Sequence, residues 1–278
     1  MKVASSALIA LLAGQNQYAM WEQYVITLAD GTQLTYSSGR APVGDFQELV
    51  GAAVPLVFWK LDELLGATTG ADSGSLGLPL ACNSALTTFG HPSLCGGNGS
   101  SVQIVQTTAN PMITAGATGV NLGAGNFTLL AVIQSVTAPA NRAEIVSLLQ
   151  TNATYTAWGF YVTAAGNLEL ELNTSNAPGT IQTIGSAGPS VVDGASHFVV
   201  ARRSGSSIQL FCDMVPVGSG TFAGAVWASP SPIGCGCGPW SAGVNTQAAV
   251  FSGVIDAVAI FDRAVSDAEL TTFRNSLV

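Results

Sequence analysis

The residues best suited to chemistry by type and spacing are Glu169 and Glu171, which alternate with three leucines in the text LELEL. Alternate residues of a strand share a face, so both carboxylates are expected on one side of a sheet. Paired carboxylates can cleave glycosidic bonds, with one as nucleophile and the other as acid. No further acidic residue or aromatic cluster accompanies the pair, and the alternation is typical of a solvent-facing edge of a half-buried strand. We therefore predict no enzyme, with a glycoside hydrolase as an alternative.

The other candidate chemistry lies in two histidines and five cysteines. Neither histidine has a nucleophilic serine motif that would complete a catalytic set. We expect His197 to be hydrogen-bonded near the start of a strand, and His91 to lie exposed in a loop before Pro92. The odd cysteine count leaves at least one thiol unpaired, and no Cys-x-x-Cys spacing is present. Cys82 and Cys95 could form a disulfide across a loop in an oxidising compartment, but synthesis in a reducing cytosol fits the odd count equally well.

Three tryptophans are the candidate ligand-binding residues, because they stand in or near text rich in Gly, Ser and Pro. They are Trp158, Trp227 and Trp240. Exposed aromatic rings and amides in loops suit a glycan, but each tryptophan could equally fill the core with its large apolar area. The segment from Trp227 to Trp240 is predicted to be a long irregular loop, of the kind kept for contacts.

The composition favours many short strands joined by turns. Hydrophobic residues make up 48% of the 278 residues and charged residues only 9%, with 32 Gly and 12 Pro spread along the chain. An ordinary soluble protein has about 25% charged residues. The formal charge of −8, with eight Lys and Arg, offers no basic surface for a phosphate backbone or an anionic membrane. Nucleic acid and membrane insertion are therefore not expected.

Residues 1–50 are predicted to form a separate N-terminal element. Residues 1–14 carry a lysine and then small or apolar residues, which fits either a secretory signal or a short amphipathic helix of the mature protein. The following text, YVITLADGTQLTYSS, alternates on both sides of Asp30-Gly31, which predicts a β-hairpin with a two-residue turn. A helix and a hairpin of this size would suit a docking element.

Residues 54–278 resemble laminin-G-like domains of the concanavalin type in several motifs. The entry motif "W.LDE..G....DSSG" is matched by Trp59, Leu61, Asp62, Glu63, Gly66, Asp72, Ser73 and Gly74. The strand beginning at Phe127 resembles the family's "FTl..Wv", and His197 takes its histidine position. Residues 211–213 take the place of "YVD", with Met214 in place of a glycine, so that turn is expected to be wider. The resemblance implies an all-β, two-sheet antiparallel jelly-roll sandwich over residues 51–278.

The most specific motif is the closing FSGVIDAVAIFDRAVSDAEL of residues 251–270, which resembles "f.G.IDdv.iydraLs..Ei". Gly253 is expected to permit a close approach or bulge, and Ser266 to cap a last helix with Glu269 three residues on. The expected core-facing residues are Ile255, Val258 and Ile260.

The same resemblance makes calcium a candidate ligand, because many laminin-G-like domains hold one at the sandwich rim. Asp72 and Asp256 match positions where the family often has acidic residues. The alternative is that Asp72 makes an Asx turn and that Asp256 caps backbone amides beside the last strand.

The N-terminal text from Thr27 to Tyr36 resembles tail-tip proteins of tailed bacteriophages. This resemblance implies a structural virion protein of the tail tip or fibre, assembled in the host cytoplasm. Its sandwich would display loops to a protein or a host glycan. Its partners would be other tail proteins, within a symmetric homo-oligomer. The alternative is a secreted or surface adhesion module that binds carbohydrate, with or without calcium.

Overall fold

The chain divides into two compact units, residues 1–45 and 46–278. The computed structural model describes residues 23–27, 33–37, 45–96, 99–105, 111–114, 120–149, 156–229, 231–238 and 250–277. No helix within those ranges is both long enough and apolar enough to cross a bilayer.

In the first unit, strands β1 (Gln23–Thr27) and β2 (Gln33–Ser37) form the predicted antiparallel hairpin. Its register differs from the prediction, because Thr27 pairs with Gln33. A regular two-residue turn at Asp30-Gly31 would pair Thr27 with Leu34 instead. Residues 28–32 and the helix predicted within residues 1–14 lie outside the described residues.

In the second unit, the described residues form sixteen strands, two short α-helices and one 3-10 turn, Pro178–Thr180. The helices are α1 (Phe46–Ala52) and α2 (Asp267–Asn275). The strands are β3 (Val57–Trp59), β4 (Thr69–Gly70), β5 (Leu80–Cys82), β6 (Thr87–Pro92), β7 (Ser100–Ile104), β8 (Met112–Thr114), β9 (Phe127–Gln134), β10 (Arg142–Leu149), β11 (Thr156–Thr163), β12 (Leu168–Asn173), β13 (Ile181–Gly185), β14 (Ser196–Ser204), β15 (Ser207–Cys212), β16 (Val215–Thr221), β17 (Ile233–Cys235) and β18 (Gly253–Phe261).

These strands make two antiparallel sheets, which confirms the predicted jelly-roll sandwich. The first sheet has the order β16-β15-β14-β9-β18-β7-β6, with β3 also paired to β18. The second sheet has the order β13-β12-β11-β10-β17-β8-β5-β4. One large apolar cluster is drawn from both sheets and includes Ile255, Val258 and Ile260, as predicted. Alternation along each strand places these residues inside and leaves the intervening ones on the outer faces.

The outer face of the first sheet is apolar and is covered by the two helices. Phe46 and Val50 of α1, together with Leu270 and Phe273 of α2, belong to a second buried cluster with residues of β9, β14 and β18. Because α1 packs into this cluster, the compact unit begins at Phe46, five residues before the boundary expected from the sequence. This covering leaves the outer face of the second sheet as the polar face of the sandwich.

The closing motif folds as its sequence predicts. Ser266 is the N-cap of α2, where its hydroxyl accepts a hydrogen bond from the Glu269 amide while the Glu269 carboxylate accepts from the Ser266 amide. A Cβ added to Gly253 would lie 2.2 Å from the Gln134 carbonyl oxygen, so only glycine fits this close approach. The cap depends on residues three positions apart, which is why the sequence alone reveals it, whereas the close approach at Gly253 is to Gln134 of β9.

Two loop predictions were wrong. Cys212 pairs directly with Val215, so the turn at Asp213 and Met214 is tight, with positive φ at both residues in place of the wider turn expected without glycine. The segment between Trp227 and Trp240 is not wholly irregular, since it contains β17, a buried strand between β10 and β8. Backbone pairing with two neighbours explains this burial, and the apolar or small residues of Ile233–Cys235 permit it.

Candidate functional site

A cluster of charged side chains lies on the outer face of the second sheet. Its members are Arg142 and Glu144 of β10, Tyr161 of β11, and Glu169 and Glu171 of β12. Tyr161 stands directly opposite Glu144 on one side and Glu169 on the other, which places the three in one row across the sheet. We call these five residues the charged cluster.

Hydrogen bonds and ion pairs join the charged cluster into one network. The Arg142 guanidinium lies over the Tyr161 ring, 4.8 Å from its centroid, and donates a 2.7 Å hydrogen bond from Nη1 to Glu171. The Tyr161 hydroxyl donates to Glu169 Oε1 and lies 3.5 Å from Glu171 Oε2. Burial and these carboxylates raise the pKa of the Tyr161 hydroxyl, so it stays protonated and can donate.

Glu144 is the least compensated member of the charged cluster. Its side chain is fully buried, and neither carboxylate oxygen accepts a hydrogen bond from the described residues. Arg142 Nε lies 3.2 Å from Oε1, an ion pair without hydrogen-bond geometry. Burial raises the pKa of Glu144 to about 7, because the loss of solvation outweighs the attraction of Arg142, and Glu171 and Glu169 add repulsion. Glu144 can therefore take up a proton near neutral pH.

The charged cluster opens to solvent towards β13. Glu169 pairs with Gly185 and Glu171 with Thr183, and both β13 residues are exposed. A Cβ built on Gly185 would lie 3.3 Å from Glu169 Oε2, so the glycine leaves space beside this oxygen that a side chain would fill. Carboxylate, hydroxyl and guanidinium groups at such an edge can pair with the hydroxyl groups of a ligand.

The sequence placed Glu169 and Glu171 on one face, and the structure confirms this. The predicted exposure to solvent holds only for Glu169, which is half-buried, because Glu171 is buried and β12 is paired on both sides. Arg142, Glu144 and Tyr161 were missed. The alternation of polar and apolar residues around them is visible in the sequence, but no local pattern shows that β10, β11 and β12 are neighbours.

The three predicted tryptophans fall in different surroundings. Trp158 is fully buried in the core, on the side of β11 opposite to Tyr161, and therefore presents no exposed ring surface. Trp227 is half-buried against the core cluster, and its amide donates to the Asn173 carbonyl at the end of β12. Trp240 lies outside the described residues. Trp227 is thus the described tryptophan that retains a partly open face.

Asp72 and Asp256, the two candidate calcium ligands, each accept hydrogen bonds from the backbone. Asp72 accepts hydrogen bonds from the amides of Phe58, Gly74 and Leu78, and the bond to Gly74 makes the Asx turn weighed as the alternative. Within the described residues, neither aspartate belongs to a group of three potential metal ligands. The two carboxylates are instead committed to the backbone of separate loops, which is a structural role.

Asp256 is fully buried in β18, at a bulge between Ile255 and Ala257. Its Oδ2 accepts hydrogen bonds from the Ser93 hydroxyl and from the amides of Leu94 and Cys95. This arrangement is the amide capping that the sequence offered as the alternative to calcium binding. Burial raises the pKa of Asp256, against the opposing effect of these donors.

The remaining histidines and cysteines were placed partly as expected. His197 is hydrogen-bonded at the start of β14, as predicted, whereas His91 is a half-buried residue of β6 and not an exposed loop residue. No disulfide bond joins any of the five cysteines, all of which lie among the described residues. Cys82 lies on the second sheet and Cys95 in the cluster under the helices, so the bridge considered between them is absent.

The two antiparallel sheets place the chain in the class of jelly-roll sandwich proteins. A laminin-G-type family model, described as the concanavalin A-like lectin/glucanases superfamily, matches residues 106–271, which is more than half of the chain. The chain therefore belongs to this superfamily. A search of curated proteins found no match.

Solved structures share the fold at low sequence identity. The binding domain of Paraclostridial mosquitocidal protein 1 is 12% identical with a TM-score of 0.57, covering 81% of this chain and 53% of that one. The botulinum neurotoxin serotype G binding domain is 11% identical with a TM-score of 0.57, covering 79% and 50%. Trypanosoma rangeli sialidase is 13% identical with a TM-score of 0.55, covering 96% and 38%. The chain thus spans about half, or less, of the length of these structures.

Proposed function

We propose that this protein is a non-enzymatic recognition protein that binds carbohydrate at the open edge of the charged cluster. One observation carries the proposal: the network of Arg142, Tyr161 and Glu171 holds Glu169 at an edge kept open by Gly185. Hydroxyl-rich ligands are recognised by fixed polar groups of this kind, because rigid partners reduce the entropy lost on binding. The superfamily includes lectins by its description, which agrees with this use of the fold.

Burial argues against catalysis by the same residues. A general acid must reach the atom that it protonates, but Glu144 is fully buried and Glu171 is 7% exposed. Glu171 is also held by Arg142 at 2.7 Å. Hydrolysis would therefore require the network to open, whereas binding requires only the exposed edge.

We expect Glu169→Gln to weaken glycan binding by about 10- to 100-fold, because a hydrogen bond to a charged group contributes about 1.5–3 kcal/mol. A glycan array would first identify a ligand for the full chain, and calorimetry would then compare the variants. Asp62→Asn is the matched control, since it removes one exposed carboxylate away from the charged cluster.

Equal affinity for the Glu169→Gln variant and the wild type would exclude this edge as the binding site. Incubation of the wild type with the bound glycan tests the absence of catalysis. Release of new reducing ends by the wild type, lost in Glu171→Gln, would show that the protein is an enzyme.

The biological setting that we propose is the tail of a bacteriophage, where residues 1–45 dock onto other tail proteins and the sandwich contacts a host glycan. Support comes from the N-terminal hairpin and from its separation into its own compact unit. The rival setting is a secreted adhesion module.

N-terminal sequencing of the mature protein separates the two settings. We expect the chain to begin at Met1 or Lys2 and to be found by mass spectrometry in purified phage particles. A start near residue 20, with the protein in the culture medium, would favour the secreted module and overturn the tail assignment.

A further inference from the structure

A second group of potential ligands lies on the first sheet, at the end of the β14–β15 hairpin. His197, Cys212 and Asp213 each offer one ligand atom, and these three atoms lie within 4.8 Å of one another. His197 and Cys212 are buried, while the Asp213 side chain is 27% exposed. This group lies outside the charged cluster and has no part in the function proposed above.

The three atoms form a triangle of the size that a zinc ion requires. His197 Nδ1 lies 2.8 Å from Asp213 Oδ2, Cys212 Sγ lies 3.5 Å from Nδ1, and Sγ lies 3.7 Å from Oδ2. Tetrahedral zinc with ordinary bond lengths separates its nitrogen, oxygen and sulfur ligands by about 3.3 to 3.6 Å. The two separations that involve Sγ already fit, and the one between Nδ1 and Oδ2 would have to widen by about half an ångström to admit the ion.

The outward-facing atoms of the same residues already have the partners that metal ligands need. His197 Nε2 lies 3.0 Å from Asp193 Oδ1, the carboxylate–histidine arrangement that orients a metal-bound imidazole. Asp213 Oδ1 accepts from the Phe198 amide and from Arg274 Nε, which leaves Oδ2 for the centre. His197 and Asp213 are thus each held from outside through one atom, while a second atom faces the centre of the group.

The charges also balance around a divalent ion. A Cys212 thiolate and the Asp213 carboxylate together carry the two negative charges that neutralise a 2+ ion, while Arg274 pairs with Asp213 and Asp193 pairs with His197. Metal binding would displace the protons on the thiol and the imidazole. A thiolate with an imidazole selects zinc-class ions, whereas calcium prefers oxygen ligands.

We propose that His197, Cys212 and Asp213 bind a zinc-class divalent cation, with one coordination position open to water. The site ties the start of β14 to the tight turn after β15, at the point where Arg274 of α2 also reaches Asp213. Competing sites in this chain are few, because its only other histidine is His91 and no Cys-x-x-Cys motif is present.

The test is titration of the full chain with Co²⁺ and Zn²⁺ in a non-thiol reductant. We expect one ion per chain, a thiolate-to-cobalt charge-transfer band, visible bands of tetrahedral Co²⁺, and bleaching by Zn²⁺ but not by Ca²⁺. At zinc a hundredfold above its Kd, the Tm is expected to rise by about 5 to 10 °C.

Variants separate ligation from folding. Cys212→Ser should abolish the charge-transfer band, while Cys82→Ser on the other sheet should leave it unchanged. Asp193→Ala changes an exposed residue outside the ion's own ligands, and should weaken binding about 10- to 100-fold. Failure of the wild type to give the charge-transfer band, or its survival in Cys212→Ser, would overturn the site.

Discussion

Replacing Asp256 with alanine is expected to lower the free energy of unfolding by about 3 to 5 kcal/mol. The carboxylate is the common acceptor for the Ser93 hydroxyl and for the amides of Leu94 and Cys95, and it is fully buried. Alanine leaves these donors without their charged acceptor in a site that water cannot easily enter. Urea denaturation at neutral pH would measure the loss.

Two further variants are expected to lower the free energy of unfolding by less than Asp256→Ala does. Ser93→Ala removes one of the donors and is expected to cost about 1 kcal/mol. Asp256→Asn keeps one acceptor oxygen, and its amide takes the place of Oδ1, which has no hydrogen-bond partner among the described residues. We therefore expect a loss between those of the other two variants.

Hydrogen exchange gives an independent check on the hydrogen bonds that Asp256 accepts from residues 93–95. The amides of Leu94 and Cys95 should exchange faster in Asp256→Ala, while amides in the β10–β11 pair should not respond locally. If the alanine variant lost less than about 1 kcal/mol and kept these amides protected, Asp256 would not anchor the loop.

The hydrogen bonds of Asp256 also bear on the predicted calcium site. Asp72 and Asp256 each already accept hydrogen bonds from backbone amides, which gives both carboxylates a structural role without a metal ion. Pattern matching to acidic positions could not distinguish a metal ligand from a carboxylate that caps amides. The partners of Asp256 are far away in sequence, at residues 93–95, whereas Asp72 bonds to Gly74 and Leu78 nearby and to Phe58 fourteen residues earlier.

The sandwich was predictable because its signals are local. Alternation in the closing motif gave the core positions of Ile255 and Val258, and the spacing of Ser266 and Glu269 gave the helix cap. Each signal needs only residues a few positions apart. The same reasoning found both strands of the N-terminal hairpin.

The charged cluster was only half predictable because its assembly is nonlocal. Glu169 and Glu171 share a strand, but Arg142 and Glu144 join them through sheet pairing that a single sequence does not state. Trp158 shows the same limit for a single residue. It lies on the side of β11 that faces the core, opposite to Tyr161, and the sequence does not state which side of this strand faces the core. The order of the strands, and the face of the sheet on which each side chain lies, decide which candidate residues meet. No local sequence pattern encodes the strand order.

The pH dependence of stability should reveal the buried Glu144. Burial raises its pKa in the folded chain to about 7, whereas the unfolded chain has the ordinary value of 4.5. Between these two values the folded chain holds a proton that the unfolded chain has released. The contribution of Glu144 to stability is therefore greatest below pH 4.5 and is lost as the pH rises through 7.

Glu144→Gln removes this titration. The stability of the variant minus that of the wild type is expected to rise by about 3 kcal/mol between pH 4.5 and pH 8, since each pKa unit corresponds to about 1.4 kcal/mol. The sign follows from the removal of a charge that is costly to bury. Arg142 keeps an anionic partner in the variant through its 2.7 Å contact with Glu171.

Urea denaturation of the variant and the wild type across this pH range would measure the difference. Asp262→Asn, which changes the net charge equally at an exposed position after β18, separates the effect of burial from that of net charge. A Glu144→Gln difference that stayed constant from pH 4.5 to 8 would contradict the raised pKa. It would also imply that Arg142 fully compensates the buried carboxylate, and that the ion pair at 3.2 Å outweighs the cost of burial.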